Sequence, residues 1–248
     1  MFEAPDGKLF EKVLASNEVH VWHADLNVKH DYTTSLFELL DCEEQERASL
    51  FRVPSPREQF VISHAFLRLV LAEYLQTDPA DVRFHIAASG KPELMDDKSI
   101  RFSLSHTDGV AAIAITRDRA VGIDIERIRE DVEAIDLANG FFSAAEAEWL
   151  RSQPASERIG AFFSCWTAKE ALLKACGTGL STSLSGFTVI RRPGNEQIQV
   201  EICGNDCLPK NWSVWQLNLG SEVCAALALQ ETTITIRCQK WVWPHKVR

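Results

Sequence analysis

The chain has 248 residues, 46% of them hydrophobic, which is enough for one large core or two small ones and is the composition of a soluble globular protein. A formal charge of -9 and a pI near 5.3 argue against nucleic acid as a partner, and no apolar run approaches the roughly 18 residues of a membrane-spanning helix. Seven cysteines scattered without paired spacing fit reduced thiols better than a disulfide framework. Residues 1–6 lack the basic start and apolar stretch of a signal peptide, so the expected location is cytoplasmic. Cys203 and Cys207 come nearest to a metal pair, but nothing beside them completes a zinc set.

Residues 18–28 alternate as an opening strand, with His20 and His23 read as strand or surface residues. Residues 36–51 read as one short acidic helix whose Asp41, Glu43, Glu44 and Glu46 form a solvated face. Pro54 and Pro56 precede a long helix over residues 57–75, apolar along a wide side, with His64 and Arg68 at i,i+4. Asp78-Pro79 signals a turn. Residues 82–86 then alternate as a strand and run into Ser89-Gly90-Lys91-Pro92, a loop whose glycine lets the backbone approach a ligand. Ile100, Phe102 and Leu104 alternate with Arg101, Ser103 and Ser105, and residues 110–116 form a second apolar strand. The two predict a hairpin across Thr107-Asp108-Gly109, with Ser105 and His106 at its mouth.

Asp118-Arg119 makes the next turn, and the boundary between an N-terminal lobe (1–117) and a C-terminal lobe (118–248) is placed there. Val121, Ile123 and Ile125 then alternate with Gly122, Asp124 and Glu126, a strand that buries one face and carries two carboxylates on the other. Residues 130–136 read as exposed loop or short helix. Ser143-Ala144-Ala145-Glu146 is a capping box opening a helix, and Glu146 is assigned to that cap. From residue 157 to 176, Ile159, Phe163, Trp166 and Leu173 fall at helical spacing, and Gly177 and Gly179 supply a C-cap and an exit. Residues 187–190, 197–202, 212–217 and 223–229 read as strands of a sheet on that helix, with 232–237 as a further strand. The tail Trp241-Val242-Trp243 is expected to dock on protein.

Two acids at i and i+2 on one strand repel each other unless a cation, a proton or solvent separates them. Mg2+ answers that need, because it takes carboxylate oxygens and keeps waters and phosphate oxygens in its other positions; two solvated acids on a surface strand are the equally simple reading. Glu170 lies four residues after Trp166 and three before Leu173, which puts a carboxylate inside the apolar stripe, where an unpaired charge is expensive. An i,i+4 pair with Lys174 explains the two residues but not their placement. A third metal ligand, joining Asp124 and Glu126 and facing a phosphate held by Lys174, explains both. The chain has neither a Gly-x-Gly-x-x-Gly nor a P-loop pattern, so phosphates would be held by scattered cations and the metal.

Gly122-Ile123-Asp124-Ile125-Glu126, followed by Phe163-Ser164-Cys165-Trp166-Thr167-Ala168-Lys169-Glu170-Ala171-Leu172-Leu173-Lys174, resembles the paired signature of the 4'-phosphopantetheinyl transferases, in their longer, Sfp-type form. The likeness extends through Gly90-Lys91-Pro92, Phe102-Ser103-Leu104-Ser105-His106 and Phe141-Phe142-Ser143, and so covers residues 57–190. It implies an α+β fold of two similar lobes related by a pseudo-twofold axis. Each lobe is then a small, mostly antiparallel sheet on a long helix, with the active site between them. It also implies a holo-carrier-protein synthase type of chemistry. Mg2+ on Asp124, Glu126 and Glu170 grips the coenzyme A pyrophosphate, a carrier-protein serine attacks, phosphopantetheine is transferred and 3',5'-ADP leaves. In that scheme Glu170 takes the serine proton, Lys174 steadies charge on the phosphates, and Lys91, Ser105, His106 and Arg57 hold the nucleotide end; Lys169 is read as helix surface. The expected partners are coenzyme A and an acyl or peptidyl carrier protein, with the chain acting as a monomer. The rival readings are a Mg2+-dependent nucleotide phosphohydrolase and a non-catalytic coenzyme A or carrier-binding module. The presence of all three acids and the lysine speaks against the module.

Overall fold

The computed structural model describes residues 14–177, 182–191, 197–202, 212–230 and 234–244. Gly179, Cys203 and Cys207 fall outside the described residues. The described chain opens with strand β1 (Glu18–Asp25), two short helices, α1 (His30–Phe37) and α2 (Cys42–Ser49), and the long helix α3 (Pro54–Leu75). A small hairpin, β2 (Phe84–Ile86) and β3 (Pro92–Leu94), leads to a longer one, β4 (Ile100–Thr107) and β5 (Val110–Arg117), and then to β6 (Val121–Arg127). Three helices follow, α4 (Ala134–Phe141), α5 (Ala144–Ser152) and the long α6 (Ala155–Cys176). The chain then runs through β7 (Phe187–Arg191), β8 (Gln197–Ile202), β9 (Ser213–Leu217), β10 (Val223–Leu229) and β11 (Thr235–Lys240).

Local chemistry sets the helix ends. Pro54 begins α3 at a position where its missing N–H costs nothing, and Gly177 closes α6 at φ +67°, a conformation open to glycine without strain. The strands form two main sheets, in the orders β11-β1-β5-β4 and β6-β10-β9-β8-β7, and every pairing within them is antiparallel except β1 with β11. The result is an α+β fold of two lobes, each a mainly antiparallel sheet carrying one long helix.

Strand alternation divides the interior into three cores. On β1 and β5, Trp22, Ala24, Ile113 and Ile115 face Phe66 and Leu67 of α3, while Val19, Val21, Ala112 and Ala114 face the second lobe. There they meet Val121, Ile123 and Ile125 of β6 and Leu227 and Leu229 of β10. The opposite faces of β6 and β10 turn to α6, where Ala226 and Ala228 join Leu172, Phe162 and Phe187. The apolar alternation of β6 is therefore buried between the lobes, and its acidic alternation is turned toward α6. Burial of this kind contributes about 1.5–3 kcal/mol for each fully enclosed large apolar side chain.

Several expectations need correction. Residues 36–51 are not one helix but the end of α1, a break and α2, because Asp41 caps a new start: its carboxylate accepts from Glu44 N–H, and the Glu44 side chain accepts from Asp41 N–H. That face is not simply solvated either. The fully buried Arg68 donates from Nε to Glu44 (2.6 Å) and from Nη2 to Asp41, and from Nη1 to the Val82 carbonyl (2.8 Å). His20 is buried, with its Nδ1 2.7 Å from the Tyr74 hydroxyl. Strand β11 lies beside β1, so residues 235–240, placed with the C-terminal lobe on sequence, belong to the sheet of the first half. Trp241 docks as expected, edge-on to Trp22 and buried against Phe66. No helix among the described residues is long and apolar enough to cross a membrane.

Candidate active site

Strand β6 lies at the edge of the second sheet, with β10 on one side only. An edge strand leaves every second N–H without a ladder partner. Here β4 of the first lobe supplies side chains instead of backbone. The hydroxyls of Ser103, Ser105 and Thr107 accept from the N–H groups of Ile123 (3.2 Å), Ile125 (3.3 Å) and Arg127 (3.4 Å). This ladder stitches the lobes together and sets the register in which Asp124 and Glu126 are presented.

Gly122 sets the depth. A Cβ at this position would lie 2.0 Å from the Ala171 carbonyl oxygen and 2.4 Å from the Ala175 nitrogen, so only glycine lets β6 rest on the backbone of α6. With strand and helix that close, the side chains two residues beyond Gly122 and one turn along α6 converge. Lys174 Nζ donates to Asp124 Oδ1 (2.6 Å) and to Ser105 Oγ (2.8 Å), and Ser105 in turn donates to Asp124 Oδ1 (2.9 Å). Asp124 is only 4% exposed, and its second oxygen, Oδ2, is buried with no hydrogen-bond partner. Glu126 accepts from Thr107 Oγ1 (3.2 Å). Burial, followed by the negative charge of Asp124, raises the pKa of both Glu126 and Glu170.

Hydrogen bonds thus join Asp124, Lys174 and Ser105 from three elements, and Glu126 and Glu170 lie near enough to feel the charges of Asp124 and Lys174. Lys174 pairs with Asp124 within the second lobe, with Ser105 of the first lobe bonded to both, and the i,i+4 alternative with Glu170 is not the one formed. The remaining candidates lie around this centre. His106 is exposed on one side, yet burial of the rest of its ring, then the charges of His64, Lys174 and Arg47, push its pKa down to about 4. Solvent on the open side screens part of that effect. Arg57 sits on the first turn of α3 with its guanidinium 5.4 Å from the centre of the Phe37 ring. Lys91 directs its ammonium at two backbone carbonyls, those of Val121 (2.6 Å) and Lys174 (3.1 Å). Lys169, read from sequence as helix surface, is fully buried; it donates to both Glu146 oxygens (2.7 and 2.8 Å) and to the Phe187 carbonyl (2.5 Å). Glu146 is therefore both a cap and half of a buried ion pair.

The donor chemistry suits a hard divalent cation, because an orphaned, buried carboxylate oxygen stands beside two carboxyls that resist ionisation without one. Among the described residues, however, no three Asp, Glu, His or Cys side chains stand close enough to form a ready metal site. The expected gathering of three acids is thus incomplete in this arrangement. Sequence reasoning missed the hydroxyl ladder and the steric role of Gly122. The Ser103-x-Ser105-x-Thr107 alternation was a visible signal, but nothing local named β6 as its partner.

The family model for the 4'-phosphopantetheinyl transferase superfamily matches residues 120–228, the span from the turn before β6 into β10. The chain is 37% identical over 171 residues to the 4'-phosphopantetheinyl transferase HetI of Nostoc sp., an alignment covering 68% of this chain and 72% of that protein. It is 35% identical over 148 residues to the 4'-phosphopantetheinyl transferase psf-1 of Bacillus pumilus, covering 59% and 61% of the two chains. With the 4'-phosphopantetheinyl transferase Sfp of Bacillus subtilis it shares 29% identity over 200 residues, covering 75% and 88%. The match to HetI covers more than two thirds of both chains, and the chain belongs to the 4'-phosphopantetheinyl transferase superfamily.

Proposed function

We propose that the chain transfers the 4'-phosphopantetheine group of coenzyme A to a serine of an acyl or peptidyl carrier protein, with Mg2+ as cofactor and as a monomer. The observation that carries this reading is Asp124, with one buried oxygen unpaired and the other held by Lys174 and Ser105 at the seam of the lobes, and with Glu126 and Glu170 within range of its charge. Phosphoryl transfer calls for positioning and charge neutralisation more than for covalent help from the enzyme.

Asp124, Glu126 and Glu170 would hold the cation, which supplies positive charge against the pyrophosphate when bound. Lys174 turns its ammonium from Asp124 to the phosphate oxygens, keeping Ser105 as its anchor. His106 would offer its ring to a phosphate, whose negative charge favours the protonated imidazole. Arg57 is assigned to the far end of the nucleotide. The serine oxygen forms a bond to the β-phosphorus while the bond from that phosphorus to the bridging oxygen breaks. The electron pair leaves with 3',5'-ADP. Glu170 accepts the serine proton, a role favoured by the burial that raises its pKa.

The test is incubation with coenzyme A, Mg2+ and an apo-carrier protein. Gain of one phosphopantetheine on the carrier serine, seen by mass spectrometry, supports the reading. Cleavage of coenzyme A at the same rate with and without carrier, leaving the carrier unmodified, overturns it in favour of a phosphohydrolase.

A further inference from the structure

Lys91 stands in the turn between β2 and β3. The turn is held tight by Gly90 N–H donating to the Ala87 carbonyl (2.8 Å) and Ala87 N–H donating to the Lys91 carbonyl (3.0 Å), with Gly90 at φ +83°. From this loop of the first lobe the side chain crosses into the second. Its ammonium donates to the carbonyl of Val121, the first residue of β6, and to that of Lys174 in the last turn of α6. The final carbonyls of a helix have no intrahelical donor and carry the negative end of its dipole, so a cation is well placed there. A second contact marks the same junction: a Cβ on Gly177, the residue closing α6, would lie 3.3 Å from Ser89 of this loop. The Gly122 approach to Ala171 and Ala175 belongs to the same corner. Loop, strand start and helix end therefore meet at one place, and one ammonium ties all three. Burial lowers the pKa of Lys91 to about 8, the expected cost of taking that charge out of water, yet most of it is retained at neutral pH.

We propose that Lys91 is a positioning residue: from the opposite lobe its ammonium fixes the crossing of β6 and α6, and so the reach of Lys174 to Asp124, instead of contacting a phosphate. Val121 is three residues before Asp124, and the Lys174 carbonyl belongs to the residue whose ammonium works in the site. Releasing the corner therefore loosens both partners at once. The catalytic consequence rests on the function proposed above; the strut itself does not.

The experiment compares the full-length wild type, Lys91→Met and Lys91→Arg. Lys91→Met is expected to lower kcat for carrier modification about tenfold or more while leaving the KM for coenzyme A within about twofold. Amide exchange should quicken at residues 171–176 and 122–124 and stay unchanged along α3. Lys91→Arg, which keeps the charge and several donors, should regain part of both. A higher KM with kcat and exchange unchanged would make Lys91 a phosphate ligand and overturn the proposal, as would no change in any readout. If the wild type modifies no carrier, the function proposal fails while the exchange comparison still decides the strut. A third measurement needs no variant. The 15N signal of the Lys91 ammonium in the wild type should show protected protons and stay in place when 3',5'-ADP is added; a large shift on addition counts against the strut.

Discussion

At the scale of single residues, Asp124 is the most informative side chain. One oxygen is shared by Lys174 and Ser105, and the other is buried and unpaired. Asp124→Asn and Glu170→Gln should each cut carrier modification by at least about a hundredfold while leaving the far-ultraviolet circular dichroism unchanged. Turnover near the wild-type rate in either variant would remove that residue from the proposed centre.

Glu44 gives a residue-scale prediction away from the site. Burial pushes its carboxyl up, but the His64 hydrogen bond and the charges of Arg68 and His64 outweigh burial and leave the pKa lowered from 4.5. The folded state then binds that proton less tightly than the unfolded state. Its stabilising contribution is complete above pH 4.5 and is lost as the pH falls through the lower folded value. Urea unfolding of the wild type between pH of about 5 and about 3 should show this loss, and Glu44→Gln should flatten it. Equal slopes in the two proteins would show that Glu44 is not the source.

At the scale of elements, the meeting of β6 with α6 governs the site. Gly122→Ala forces a methyl group into backbone atoms that cannot swing aside, so it should cost about 1–3 kcal/mol or more in urea unfolding. Activity should fall further than stability explains, because the separation of Asp124 from Lys174 grows with the separation of the two elements. The strand, the long helix, the β4–β5 hairpin and the Ser143 cap were legible in the residues, since each rests on a local period or a short motif. The acid at Glu170 was legible for the same reason: it interrupts an apolar stripe. The single helix read over residues 36–51 failed because a capping box inside an acidic run looks like surface charge until Arg68 arrives from α3.

At the scale of the whole molecule, two lobes are joined by an apolar core, a hydroxyl ladder and a returning strand. β11 pairs with β1 in parallel, and the tail beyond it places Trp241 against Trp22 and Phe66, with Trp243 Nε1 donating to the Asp25 carbonyl (2.7 Å). Trp241 and Trp243 are thereby part of the first core. Trp241→Ala should cost about 3–5 kcal/mol and lower the unfolding midpoint of the protein as a whole. If the second lobe kept its midpoint while the first melted early, the lobes would be independent units and the seam weaker than its geometry implies.

By itself the sequence determined the alternation of strands, the two long helices, the family and the residue types of the centre. All of these follow from short-range periodicity and contiguous motifs. Only the tertiary structure decided that Lys174 pairs with Asp124 rather than Glu170, that Lys169 is buried on Glu146, that Lys91 grips two carbonyls, and that the last strand returns to the first sheet. Each is a choice among partners far apart along the chain. It depends on how closely strand and helix can pack and on which buried donors are left without a partner, and neither is encoded in the spacing of neighbouring residues.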